Sequence, residues 1–239
     1  ENGWRKSDFR NAWLLPQMKT DYAGLSRAIH FLQYGCHAMS WGTGHIGGLA
    51  GGPEGAAVTS VAETIGASIL YQTTLDYVGP LNAMYPGTSD RATMWGNFLS
   101  NAAVNTQTKH ISVGEGPYIT YAGPCTDMCL YEIAATTIGV VAVGSHPFGV
   151  APRQGIQLDY CTGMESRFMG EVGHAAAGIT REHANDLVTT ILPKYEDKIT
   201  SKNPPPGKRF QECYDLTTVT PLNEYVKLGQ DIKNELRDI

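Results

Sequence analysis

Two cysteines four positions apart, Cys125 and Cys129 in "YAGPCTDMCLYEIAATT", form the densest cluster of reactive side chains in the chain. Close thiolates can bind zinc, but a closed zinc site takes four ligands, usually as two close pairs. The other candidates, Cys161, His146 and His110, are scattered and supply no second pair. The three-residue spacer is not the C-x-x-C of redox enzymes, and a disulfide within one helical turn is awkward. On a helix these residues would share one face. The reading they support best is packed thiols at the start of a helix that follows a strand, and no metal site is assigned.

Two loops carry other chemistry. "SWGTGHIGGLAGG" and "GEGPYITYAGPC" both combine glycines, which let a backbone approach a ligand, with isolated polar or aromatic side chains. Loops of this kind at the C-terminal ends of parallel strands make the active sites of (β/α)₈ barrels.

The elements around them read as βα units. An apolar stretch with strand character, "GLSRAIHFLQYGCHAMS", leads into the first Gly-rich loop and a helix from about Ala56 to Tyr71. "LDYVGPLNAMYPG" leads to a helix from about Arg91 to Asn105, with Ser89 or Asp90 as N-cap. "KHISVGEGPYITYAG" leads past Pro124 to a helix from about Thr126 to Val143. Each cycle takes roughly 30 to 40 residues, the length a parallel crossover needs. Beyond Gly144 the pattern is helical: Met164, Phe168 and Val172 share a stripe, Thr180 caps the next helix, and "SKNPPPGKR" is a loop. A final amphipathic helix, with Pro221 at its first position, carries Tyr225, Leu228, Ile232 and Leu236. The expected organisation is one domain over 1–239, with βα units over about 22–145 and a helical part over about 160–239. Three units are too few for a closed barrel of about 250 residues, and the start without Met points to a chain that continues upstream.

Composition narrows the partners. The chain has 239 residues, 42% hydrophobic and 17% charged, with net charge −5, so it can bury a sizeable core and offers no basic face for nucleic acid or anionic membrane. No run of about 18 uninterrupted apolar residues reads as a membrane span. Five dispersed cysteines suit reduced thiols. The expectation is a soluble, cytoplasmic protein with a small-molecule or protein partner.

"AGPCTDMCL", "TGMESRFMGEV", "AAAGIT" and above all "FQECYDLTTVTPLNEY" resemble the C-terminal half of the monomethylamine methyltransferases of methanogenic archaea, and the likeness runs from about Ser7 to the end. The resemblance implies α/β architecture, specifically the C-terminal half of a (β/α)₈ TIM barrel with additional C-terminal helices. It implies a homo-oligomer that moves a methyl group from a methylated amine to the Co(I) of a corrinoid, a cobalamin, held by a separate protein. It also implies a pyrrolysine lying upstream of the residues given.

Several positions depart from the family. Where it has an active-site Glu ahead of the Gly-Gly pair, this chain has Trp41, with His45 nearby; where it has a Gln and a Tyr before "AGPC", Pro117 and Ile119 fall, flanked by Tyr118 and Tyr121, with Glu115 just upstream. A carboxylate suits a primary ammonium with three N–H donors, whereas a more substituted ammonium is held by cation–π contact. Trp41, Tyr118 and Tyr121 are therefore the candidate substrate cage, with Arg91, which matches a family arginine, as a further substrate contact. His45 and Glu115 are the candidate catalytic groups. Each has a plainer reading: Trp41 as packing, His45 as an incidental loop residue, the tyrosines as strand residues, Glu115 as a solvated carboxylate and Arg91 as a tie to a loop carboxylate. Glu54, Glu165 and Glu171 receive no role. The alternative function is a non-catalytic structural or regulatory homologue, or a truncated subunit of such a barrel.

Overall fold

The structure, a computed structural model, describes Arg5, Phe9–Asn11 and residues 18–239. In chain order the elements are β1 (Phe9–Asn11), α1 (Tyr22–Gln33), β2 (His37–Gly42), β3 (His45–Ile46), α2 (Pro53–Leu70), β4 (Leu75–Val78), β5 (Leu81–Asn82), α3 (Arg91–Gln107), β6 (Ile111–Gly114), α4 (Asp127–Ala142) and β7 (His146–Pro147). Then follow α5 (Gly163–Ala175), α6 (Arg181–Ile191), α7 (Glu196–Thr200), α8 (Phe210–Cys213), β8 (Tyr214–Asp215), β9 (Thr220–Pro221) and α9 (Asn223–Arg237). The chain divides into two compact units. One comprises the described residues of Glu1–Met84 with Trp95–Glu115 and Gly144–His146; the other comprises Tyr85–Met94, Gly116–Val143 and Pro147–Ile239.

The first unit is built on a sheet of order β1-β2-β4-β6-β7, with β1–β2, β2–β4 and β4–β6 parallel. Register sets its chemistry. Ser40 lies opposite Asp76, and Asp76 opposite Ser112; the adjacent row is Trp41, Tyr77 and Val113. Successive residues of a strand point to opposite faces. The serine and aspartate row faces the helices: Ser112 donates to Asn105 of α3 (2.7 Å), and Ser68 of α2 donates to Asp76 (3.4 Å). Ser40 and His110 also pair with the fully buried Asp76 carboxylate, so the buried charge is partnered. Helix α2 buries Ala56, Ala57, Ser60, Glu63, Thr64 and Ala67, a three-to-four repeat of mostly small residues that lets it lie close to β2. A Cβ on Gly44 would sit 2.2 Å from the Ala56 carbonyl oxygen, so the chain passes α2 there only as glycine.

The second unit is organised around α4, whose residues 128–140 are buried all round; helices α5, α6 and α9 pack on it. Local signals start these helices as the sequence indicates. Thr126 accepts from the Cys129 N–H (3.2 Å), Thr180 from the His183 N–H (3.2 Å), and Thr162 and Glu165 form a reciprocal capping box. Asp90, rather than Ser89, caps α3 through the Thr93 N–H (3.1 Å).

The structure corrects three local expectations. Most of the stretch read as strand before the first Gly-rich loop is α1: Asp21 caps it at the Gly24 N–H (2.6 Å), and strand begins only at His37. The last helix begins at Asn223 after Leu222, and Pro221 pairs with Tyr214 in the β8–β9 ladder instead of opening the helix. Cys125 does not share a helix face with Cys129. It precedes the N-cap in the left-handed region, at φ 61°.

Candidate active site

The residue pair that the first unit brings together from the candidate set is Trp41 and Glu115. Trp41 is near the end of β2, and its ring lies 4.8 Å from that of Tyr77 on β4 at 74°, an edge-on contact. Glu115 directly follows β6, and its N–H continues the ladder to the Val78 carbonyl (3.1 Å). The Trp41 Nε1–H donates to Glu115 Oε1 at 2.9 Å. Both side chains belong to the row that points away from α2 and α3.

Glu115 is fully buried, not a solvated carboxylate. Burial pushes its carboxyl well above the usual range, and the charge of Glu63 on α2 adds to the rise; the Trp41 N–H and the Thr43 hydroxyl offset part of it. Glu63 is itself buried and accepts the Met18 N–H (2.8 Å). The arrangement favours the neutral form of Glu115 over the anion. Such a group can donate a hydrogen bond or hand over a proton, and it becomes an anion when a cation arrives.

His45 belongs to the same unit, in the β3–β5 ladder opposite Leu81. It is half-buried, and desolvation lowers its pKa, so the imidazole is neutral near pH 7. The glycine-rich segment beyond it closes on itself: the Gly47 N–H donates to the Gly51 carbonyl (2.8 Å), with both glycines at positive φ.

The other candidates lie in the second unit. Tyr118 is half-buried, its ring 5.7 Å from that of Phe148. Tyr121 is buried, and its hydroxyl is within hydrogen-bonding reach of Asp90 Oδ2 (2.9 Å) and the Tyr85 carbonyl (3.0 Å). Burial and the Asp90 charge push its pKa up, so it stays a phenol. Arg91 is exposed and forms a bidentate pair with Glu196, Nε to Oε1 at 2.8 Å and Nη2 to Oε2 at 2.7 Å. Glu196 is the first residue of α7.

Sequence reasoning passed over Tyr77, Glu63 and Glu132. Glu132 of α4 is fully buried and accepts the N–H groups of Tyr121 (2.7 Å) and Ala122 (2.9 Å), and Ser89 also donates to it. It thereby holds the loop before α4 and the loop before α3 by one carboxylate. Burial raises its pKa to about 7 against the opposing effect of those donors. A signal existed, because Glu132 is the one charged residue within the buried run 128–140. Glu165, assigned no role, is buried in its capping box with its pKa raised to about 7 by burial.

Comparison with known proteins bears on this geometry. The family model of Monomethylamine methyltransferase MtmB matches residues 1–239. The chain belongs to the monomethylamine methyltransferase MtmB family. MtmB of Methanosarcina mazei is 32% identical over 238 residues, and MtmB2 of Methanosarcina barkeri is 33% identical over the same length. The crystal structure of Methanosarcina barkeri MtmB superposes with a TM-score of 0.93 at 33% identity, as does that of a hydroxylamine complex of MtmB. Each match covers 99% of this chain and 51% of the relative, so the chain spans about half the length of the MtmB proteins it matches. Its parallel α/β architecture, with further helices after it, is the expected part of a TIM barrel. Among the described residues no helix is long and apolar enough to cross a membrane, and no group of three or more His, Cys, Asp or Glu side chains is arranged to hold a metal ion.

Proposed function

We propose that this chain is part of a methyltransferase that takes a methyl group from a methylated amine and delivers it to the Co(I) of a corrinoid carried by a separate protein, within a homo-oligomeric assembly. The observation that carries this reading is the match to the MtmB family model along residues 1–239. The corrinoid is the methyl acceptor and supplies the nucleophile; this chain's residues act on the amine.

The amine arrives as a cation, and the Glu115 carboxyl, fully buried and bonded to Trp41, suits that role. It gives up its proton when a positive charge comes to lie beside it, and the ion pair then fixes the nitrogen. The Trp41 ring, packed edge-on by the buried Tyr77, is the aromatic surface for N-methyl groups, which favours a more substituted amine over monomethylamine. His45, neutral by desolvation, can accept a hydrogen bond from the N–H of the ammonium, which keeps its proton so that the nitrogen leaves as a neutral amine. When the methyl group leaves, its bonding pair stays on nitrogen and the product is an amine with one methyl fewer.

The test is methyl transfer to a reduced corrinoid protein, followed by its visible spectrum, with mono-, di-, trimethylamine and tetramethylammonium in competition. Transfer that is fastest from the di- or trimethylated substrate supports the reading. Transfer from monomethylamine alone overturns the preference for bulkier amines, and no transfer from any of them leaves the structural or regulatory homologue.

A further inference from the structure

The second unit holds two thiols that the function above does not use. Cys125 lies between Pro124 and the N-cap Thr126, and its positive φ turns it off the axis of α4. The segment facing it is held by main-chain contacts. The Lys208 N–H donates to the Pro124 carbonyl (3.0 Å), the Gly123 N–H donates to the Pro205 carbonyl (3.0 Å), and a Cβ on Gly207 would lie 2.4 Å from the Gly123 carbonyl carbon. Two rigid backbones are thereby fixed side by side.

That registration carries Cys213, at the end of α8, to Cys125. Cys213 is buried with Tyr214 and Tyr225, and Cys125, Met164, Phe210 and Leu228 pack against this cluster. The Cys213 Sγ lies 3.8 Å from the carbonyl of Lys208, whose own N–H is bonded to Pro124, the neighbour of Cys125, and Cys125 packs against the cluster that holds Cys213. Charged groups around them are Lys208, ion-paired to Glu224, and Glu165, which is held by Thr162. The pair is asymmetric. Cys125 is half-buried, so a small reagent can reach it, and the Cys213 thiol and Lys208 favour its thiolate; Cys213 is closed off and its thiol is pushed up.

We propose that Cys125 and Cys213 form a thiol modification site, in which Cys125 attacks a low-molecular-weight disulfide and Cys213 resolves the product into a Cys125–Cys213 disulfide. In the first step the Cys125 thiolate bonds to one sulfur of the reagent and expels the other as a thiolate. In the second, the Cys213 sulfur, after giving up its proton to that thiolate, bonds to the Cys125 sulfur and expels the second reagent thiolate. Two protein thiols are oxidised, and one external disulfide is reduced to two thiols. The product ties the turn before α4 to α8.

The experiment incubates the native protein with oxidised glutathione and maps its cysteines by mass spectrometry without reduction. The expected result is loss of two hydrogens from the intact mass and a peptide linking Cys125 to Cys213, ahead of any adduct on exposed Cys161. In Cys213→Ser, glutathione stays on Cys125 as a stable adduct. A map with glutathione on Cys161 while Cys125 and Cys213 remain reduced overturns the proposal, as does a linkage that joins either residue to Cys129. The wild-type map decides the matter even where the variant does not fold.

Discussion

The indole N–H of Trp41 on β2 and the carboxyl of Glu115, just past β6, meet at 2.9 Å across β4, and the neighbouring charge of Glu63 works against ionisation of the acid. A buried acid in that position costs stability when it ionises. The cost is tolerable where a positively charged ligand is the intended partner.

Glu115→Gln tests this directly. The raised pKa means that the folded protein holds the Glu115 proton more tightly than the unfolded chain, so the contribution favours folding at low pH and is lost as pH rises through the raised value. The variant is expected to melt at a higher temperature than wild type by a margin that grows from pH 6 to pH 9. Methyl transfer by the assembled enzyme is expected to fall at least about tenfold, equivalent to about 1.4 kcal/mol. Melting curves that stay parallel across pH would rule out the buried acid.

Trp41→Phe keeps an aromatic ring and removes the donor. The cost of leaving the Glu115 oxygen without its bond is about 1–3 kcal/mol, and the Glu115 pKa should rise further because that bond opposes the shift. Denaturant melts at pH 6 and pH 8 separate the effects. The variant's deficit should be larger at the higher pH, as the carboxyl ionises and the donor comes to matter to the charged form.

Glu132 and Glu165 set a second pH dependence. Both carboxyls rise from 4.5 to about 7 on burial, so each contributes stability below the unfolded value that is lost as pH climbs through about 7. For Glu132 the span corresponds to about 3 kcal/mol. Wild type should therefore lose thermal stability between about pH 5 and pH 8, and Glu132→Gln should flatten that slope. The variant should also be less stable at pH 5, because an amide NH₂ faces the N–H groups of Tyr121 and Ala122.

Gly87→Ala probes the packing of Tyr121. A Cβ there would lie 2.4 Å from the ring's Cζ, and shifting the ring breaks its bond to Asp90. A loss of about 1–3 kcal/mol is expected from overpacking, measured by urea unfolding. Arg91→Ala is the contrast: its pair with Glu196 is solvent-exposed, and its removal should change stability by less than about 1 kcal/mol.

What the sequence discloses here follows from distance along the chain. Thr126, Thr180 and the three βα units were legible because caps and periodicity act over a few residues. The helix at Tyr22–Gln33 was read as strand although Leu25, Ala28, Ile29 and Leu32 recur at helical spacing, so that miss was one of weighting. The Trp41–Glu115 bond spans 74 residues and depends on strand register, which no local pattern encodes. Glu132 stood in plain view as a charge inside an apolar helix, and the omission was one of weighting.

The alternation of Ser40, Asp76 and Ser112 with Trp41, Tyr77 and Val113 separates two kinds of heredity. The row turned toward the helices is mortar: Asp76, Ser112, His110 and Asn105 constrain one another, so a change at one asks for changes at the others. The opposite row, with Trp41, Tyr77 and Val113, lies outside that mutual constraint. A change in the opposite row can therefore be made while the masonry behind it stands.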